Sequence, residues 1–174
     1  AGIAADADAR TKEGYSLTFS LKHIGHYALI GRLMPLLNHQ QGSRVVLQSS
    51  IRHMSVCRDR DFSRYFNPET KLFPNAYADS KFANIAYARY LDQVCVARKL
   101  PMRAVCAHPG YVLTNINKNA HDATNKALFN SVVQGLWSRL VLQGIQRLGL
   151  AQPSLYAGAL PSLSAMLTSN PVMY

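Results

Sequence analysis

The sequence has few cysteines, few acidic residues and no long apolar run. Its three cysteines (Cys57, Cys95 and Cys106) show no Cys-x-x-Cys spacing, which favours the reduced thiols of an intracellular protein over a disulfide framework. No run of 18 or more apolar residues occurs, so we expect no transmembrane span. The first residues carry neither the basic segment nor the apolar stretch of a secretion signal. The serine-hydrolase motif Gly-x-Ser-x-Gly is also absent.

Acidic residues are outnumbered by basic ones, nine against 19, and the net charge is +10. No Lys/Arg cluster with interleaved aromatic residues occurs, so we do not expect a nucleic-acid groove. A basic surface of this kind suits a phosphate-rich cofactor, an acidic lipid or a protein partner. One alternative is peripheral membrane contact through an amphipathic helix around Trp137, but an interior-facing helix is the favoured interpretation.

The 174 residues, 48% of them apolar and 16% charged, fit one globular domain with a sizeable core. Apolar periodicity predicts alternating strands and helices, the pattern of an α/β protein. The predicted strands are 44–48 and 103–107. The predicted helices are 12–37, 75–97, 126–148 (one helix or a pair) and 154–167. Residues 51–75 and 115–125 are predicted to be irregular.

Two strands are too few for a free-standing parallel sheet. Parallel strands are normally covered on both faces, and two of them alone leave unpaired edges. We therefore expect the chain to be the C-terminal portion of a doubly wound parallel sheet in a longer protein. The alternative is a short subunit whose sheet a protein partner completes.

The most informative run is Tyr77-Ala-Asp-Ser-Lys81. On a helix, positions i and i+4 share a face, so the phenol and the ammonium can act on one substrate atom. A phenol, with an ordinary pKa of about 10, is a poor base at neutral pH, but a nearby cation stabilises the phenolate. Such a pair can give a proton to a carbonyl oxygen or take one from an alcohol. Because the pair alone is a weak signal, the motifs around it in the sequence must show whether it is catalytic.

Four further motifs accompany this pair in order. They are Ala1-Gly-Ile3, Leu21-Lys-His-Ile-Gly-His-Tyr27, Arg44-Val-Val-Leu-Gln-Ser-Ser50 and, after the pair, Met102-Arg-Ala-Val-Cys-Ala-His-Pro-Gly-Tyr-Val-Leu-Thr114. This order resembles the short-chain dehydrogenase/reductase family, and within it the retinol-dehydrogenase-like branch. There Asn-Asn-Ala-Gly, Asn-His-x-Gly-His-Phe, Val-Ser-Ser, Tyr-x-x-x-Lys-x-Ala-Asn and His-Pro-Gly-x-Val-x-Thr follow one another. The resemblance covers nearly the whole chain and implies a Rossmann-like, doubly wound parallel sheet.

The resemblance implies a role for each matching residue. Tyr77 is the general acid/base, Lys81 makes that phenol more acidic and Ser50 hydrogen-bonds the substrate oxygen. Tyr77 and Lys81 also contact the cofactor. The loop after the second strand packs against the nicotinamide, and its implied contact residues are Pro109, Gly110, Val112 and Thr114. The implied cofactor is NADP or NAD, and the branch leans toward NADP.

The sequence departs from the family pattern in two ways. It begins inside the Asn-Asn-Ala-Gly motif, so it does not contain the glycine-rich turn that receives the cofactor pyrophosphate. Lys22 stands where the family has an active-site asparagine. A lysine there accepts no hydrogen bond and places a second cation near Lys81, unless its side chain extends away into solvent. His23 and His26 have no third ligand at suitable spacing, so we predict packing roles for them and no metal site.

Two functions are in competition. The first is a NAD(P)-dependent oxidoreductase acting on a hydrophobic alcohol, aldehyde or ketone. The second is a non-catalytic, dehydrogenase-like accessory subunit of a larger assembly, for example a mitochondrial one, which Lys22 and the basic surface favour. In either case, residues 1–174 are expected to be the C-terminal portion of one dehydrogenase domain, with 115–167 forming the substrate lid and the C-terminal helices.

Overall fold

The structure, a computed structural model, describes residues 9–56, 59–70, 76–112, 151–152 and 155–167. Its α-helices are α1 (Leu17–Phe19), α2 (Gly25–Leu37), α3 (Ala76–Ala97) and α4 (Leu155–Leu167). A π-helical turn covers Ser20–Ile24, and 3-10 turns cover Ile51–Ser55 and Phe62–Tyr65. Its strands are β1 (Ser43–Gln48), β2 (Met102–Ala107), β3 (Tyr111–Val112) and β4 (Ala151–Gln152).

Both predicted strands are present and pair with each other. β1 and β2 run parallel, from Ser43 opposite Met102 to Gln48 opposite Ala107. The strands β3 and β4, which also pair in parallel, were not predicted because two residues are too few to show a period. The predicted helices at 75–97 and 154–167 correspond to α3 and α4. The predicted loop 115–125 and helix 126–148, with Trp137, lie outside the described residues.

Helices lie on both faces of the β1–β2 pair. On one face, apolar side chains of α2, α3 and the two strands form a core cluster of Ile30, Val45, Leu47, Ala88, Leu91, Cys95, Met102 and Ala104. Successive strand residues point to opposite faces, so Arg44 points away from this cluster. Its guanidinium donates a hydrogen bond to the backbone oxygen of Ala165 in α4 at 3.3 Å. This arrangement confirms the predicted α/β, Rossmann-like fold class.

A second buried cluster holds the segment before α3 against the start of that helix. The ring of Phe19 stacks on that of Tyr65 at a centroid distance of 4.4 Å. The Tyr65 hydroxyl donates to the carboxylate of Asp79, and Arg60 forms an ion pair with the same carboxylate at 3.2 Å. The irregular segment is thereby fixed to the first turn of α3 by both packing and charge.

The N-terminal half of α3 buries polar side chains rather than large apolar ones. Phe82 is 40% exposed. Asp79, Ser80 and Asn84 are instead fully buried. Polar side chains with internal hydrogen-bond partners can occupy such buried positions.

Candidate active site

The carboxyl ends of β1 and β2 meet at one edge of the sheet. Ser49 and Ser50 follow β1, and the backbone N–H of Ser49 extends the ladder by donating to Ala107 at 2.8 Å. Pro109 and Gly110 follow β2, and Gly110 has a φ of +73°, in the left-handed region that favours glycine. Open α/β sheets bind ligands outside this edge. The predicted binding loop and the predicted serine therefore share one edge.

The N-terminal half of α3 is tied to the same edge. The ammonium of Lys81 donates to the backbone oxygen of Gln48 at 3.0 Å, and the Ser49 hydroxyl donates to the backbone oxygen of Lys81 at 3.0 Å. The Lys81 nitrogen lies 5.7 Å from the centre of the Tyr77 ring. The structure thus brings the predicted pair together where the parallel strands end.

Lys22 is buried beside this pair. Its side chain is only 8% exposed, and its nitrogen lies 5.1 Å from the centre of the Tyr77 ring, within the range of a cation–π contact. The alternative in which Lys22 extends into solvent is therefore wrong. Lys22 belongs to the π-helical turn Ser20–Ile24, a type of local distortion that is frequent at functional sites.

Burial and the charge of Lys22 change the electrostatic surroundings of Lys81. Burial, together with the charge of Lys22, lowers the pKa of Lys81 to about 8, while Cys106 acts in the opposite direction. Burial also lowers the pKa of Lys22. The pKa of Cys106 is raised to about 11 by burial, although Lys81 and Ser49 oppose that shift. Within the described ranges, neither lysine forms an ion pair with a carboxylate.

Asn84 is the residue of this site that sequence reasoning missed. It is 1% exposed, and its amide nitrogen donates to the backbone oxygens of both Lys22 and Gln48, each at 3.1 Å. Its amide oxygen lies 2.9 Å from Nδ1 of His23, which donates in the tautomer that carries the proton there. Asn84 thus joins the π-helical turn, β1 and α3. The family motif Tyr-x-x-x-Lys-x-Ala-Asn contains this residue, and that match was the signal available in the sequence.

Ser50 lies at the end of β1 as predicted, but its hydroxyl has a local partner. It accepts a hydrogen bond from the backbone N–H of Arg52 at 3.4 Å and caps the 3-10 turn that begins at Ile51. Among the described contacts there is none between the side chains of Ser50 and Tyr77. Its bond to a substrate oxygen stays a prediction.

The other predicted contact residues are only partly described. Val112 lies in β3, directly after the Pro109–Gly110 turn, and Thr114 lies outside the described residues. In the part of the chain that the structure describes, no group of three or more His, Cys, Asp or Glu side chains is arranged to hold a metal ion. None of the described helices has the length and apolar character needed to cross a membrane.

Comparison with known proteins gives relatives of one kind. No protein-family model matches the chain. It is 28% identical to Retinol dehydrogenase 14 of Homo sapiens over 167 residues, which are 95% of this chain and 46% of that protein. It is 35% identical to Dehydrogenase/reductase SDR family member 13 of Homo sapiens over 147 residues, 83% of this chain and 34% of that protein.

One solved structure is similar to this chain in both fold and sequence. The crystal structure of an uncharacterized protein from Mycobacterium paratuberculosis matches 68% of this chain and 42% of its own, with a TM-score of 0.51 and 31% identity. The chain thus spans less than half the length of these relatives, which fits the expected correspondence to the C-terminal portion of a family member. From the ordered motifs, the fold and these relatives, the chain belongs to the short-chain dehydrogenase/reductase family, in its retinol-dehydrogenase-like branch.

Proposed function

We propose that this chain forms the catalytic portion of a NAD(P)-dependent oxidoreductase that moves a hydride between nicotinamide and a hydrophobic alcohol or carbonyl compound. One observation carries the proposal: the Tyr77 ring lies 5.7 Å from the Lys81 ammonium at the edge where β1 and β2 end. A phenol beside a fixed cation, at the ligand-binding edge of a parallel sheet, is suited to proton exchange with a substrate oxygen.

The residues at this edge fit the nicotinamide end of such a cofactor. Lys81 is a cation with N–H groups that can donate to ribose hydroxyls. Gly110 presents backbone without a side chain, so a ligand can approach the chain closely there. When bound, a nicotinamide cofactor supplies hydride transfer to or from the substrate carbon. The branch to which the chain belongs favours NADP over NAD in this proposal.

Each side chain of the site has its own role in proton exchange. In the oxidation of an alcohol, the phenolate of Tyr77 takes the hydroxyl proton, and in the reduction of a carbonyl the phenol returns it. Lys81 stabilises the phenolate, and the backbone oxygen of Gln48 holds the Lys81 ammonium in place. Ser50 orients the substrate oxygen. Asn84 acts as a positioning residue, because it fixes the Gln48 oxygen to which Lys81 donates.

The test uses the complete gene product. It is titrated with NADPH and NADH and then assayed with hydrophobic aldehydes and alcohols. We expect Tyr77→Phe to keep cofactor binding and to lose at least about 100-fold in turnover, since a positioned acid/base contributes on that order. Tyr90→Phe is the matched control on the same helix, because Tyr90 is 64% exposed and no described contact joins it to the Lys22–Lys81 pair. Equal turnover of the Tyr77 and Tyr90 variants would contradict the proposal.

The burial of Lys22 favours a second candidate, a non-catalytic accessory subunit. A second cation at the position of the family asparagine changes the surroundings of the pair. Under this proposal a protein partner docks on the fold, and a mitochondrial assembly is one setting for it. Absence of NADPH and NADH binding in the complete gene product, together with co-purification of a defined partner, supports this candidate against the first. Peripheral membrane contact through the helix around Trp137 stays a prediction under both.

A further inference from the structure

The Lys81 amine has an unusual set of neighbours. Lys22 faces it from the π-helical turn, Tyr77 from its own helix and Cys106 from β2. Its hydrogen-bond acceptor is the backbone oxygen of Gln48 rather than a carboxylate. Partial burial, together with the charge of Lys22, disfavours the ammonium form of Lys81, so the neutral amine becomes accessible near physiological pH.

We propose that Lys81 is also a covalent carbonyl-binding residue, whose amine forms a Schiff base with an aldehyde or ketone beside Tyr77, and that Lys22 is the neighbour that activates it. This activity does not require hydride transfer or a cofactor. A desolvated lysine next to a second cationic group is an arrangement by which enzymes activate a lysine nucleophile.

The electrostatics agree with this geometry. With a pKa of about 8, roughly one tenth of the Lys81 amine is neutral at pH 7, against about one part in 3000 for an ordinary lysine. Lys81 is only partly buried, whereas Lys22 is 8% exposed. A carbonyl compound therefore reaches Lys81 more readily, and Lys22 acts through its charge.

The step balances without an oxidant or reductant. The lone pair of the neutral Lys81 nitrogen attacks the carbonyl carbon, a C–N bond forms, and a proton moves from nitrogen to oxygen to give a carbinolamine. The hydroxyl then leaves as water, taking up the second nitrogen proton through solvent, and the C=N bond forms. One amine and one carbonyl thus yield one imine and one water. Gln48 orients the attack, since its oxygen holds the amine through an N–H.

Reductive trapping tests the proposal. The complete gene product, without nicotinamide, is treated with hexanal and sodium cyanoborohydride at pH 7, and hexylated lysines are quantified by peptide mass spectrometry. The exposed Lys99 is the internal reference. We expect hexylation of Lys81 to be at least about tenfold faster than that of Lys99, given the neutral fraction that a pKa of about 8 gives the Lys81 amine. Labelling of Lys81 no faster than Lys99, or preferential labelling of Lys22, overturns the proposal.

Three variants separate this activity from the others. Lys22→Met removes the charge while keeping a buried apolar stem, and it should slow Lys81 labelling about tenfold at pH 7 and little at pH 11. Lys99→Met, the matched surface change, should leave Lys81 labelling unchanged. Tyr77→Phe keeps the ring and should keep labelling while it loses hydride transfer. Failure of the proposed oxidoreductase function and failure of this inference therefore give different results.

The pH profile of the unmodified protein is a second measurement that needs no variant. Labelling of Lys81 should level off near pH 8, well below the ordinary lysine pKa. A Lys81 profile that keeps rising up to the ordinary lysine pKa contradicts the proposal.

Discussion

The two halves of α3 differ in whether they bury polar side chains. The C-terminal half places Ala88, Leu91 and Cys95 in the apolar core beneath β1 and β2. The N-terminal half buries Asp79 and Asn84 to 1% exposure or less. Apolar burial stabilises the fold without directional demands, whereas a buried polar group costs free energy unless each atom has a partner. One half of the helix thus holds the fold together, and the other holds a site in position.

The polar half reaches three separate parts of the chain. Asp79 binds the segment before α3 through Tyr65 and Arg60. Asn84 binds the π-helical turn and the end of β1. These directional contacts define where Tyr77 and Lys81 lie, since both residues are on the same half of the helix. Substitutions in the two halves of α3 should therefore have different effects on the free energy of unfolding and on turnover.

The largest effect on stability is expected in the apolar half. Leu91→Ala leaves a cavity in the core cluster and should lower the free energy of unfolding by about 2–5 kcal/mol. Turnover per folded molecule, measured in the complete gene product, should stay nearly unchanged because no described contact joins Leu91 to Tyr77 or Lys81. Urea unfolding measures the first quantity. The control is Leu29→Ala on α2, where the side chain is 55% exposed and the expected loss is within about 0.5 kcal/mol. A large fall in turnover for Leu91→Ala would contradict the idea that the apolar half of α3 stabilises the fold without positioning the site.

A smaller loss of stability, accompanied by a loss of function, is expected in the polar half. Asn84→Ala leaves the backbone oxygens of Lys22 and Gln48 without their amide donor and should lower the free energy of unfolding by about 1–3 kcal/mol. Because Gln48 then holds Lys81 less firmly, the pH profile of turnover should also change.

The matched control for Asn84 is Gln93→Ala, an exposed position on the same helix. Unfolding in urea and turnover against pH are measured for both variants. An Asn84→Ala protein that loses stability but keeps the turnover and pH profile of the unmodified protein would show that Asn84 is only structural.

The same comparison explains which features could be predicted from the sequence. The strands, the helix α3 and the Tyr77–Lys81 pair depend on local spacing, which a sequence displays directly. The contacts of Asn84 join residues that are 36 and 62 positions apart, so only the folded chain reveals them. Lys22 shows most clearly what could not be predicted from the sequence. A lysine stem fits either a buried or a solvent-directed path, and the packing around Tyr77 decides between them.

The smallest expected effect concerns the charge that Lys22 adds to the polar half. Lys81 has a pKa of about 8 in the folded protein, below its ordinary value of 10.5. Between these values the unfolded chain binds more protons, so the free energy of unfolding should rise with pH, and below about pH 8 the full penalty remains. Lys22→Met should raise the pKa of Lys81. It should therefore increase the free energy of unfolding at pH 7 by on the order of 1 kcal/mol. It should also flatten the rise of the free energy of unfolding between pH 8 and 10.5. Urea unfolding of the complete gene product at pH 7 and pH 10 measures both, with Lys99→Met as control. An unchanged rise with pH would mean that Lys22 does not set the charge state of Lys81, which would also remove its activating role in carbonyl binding.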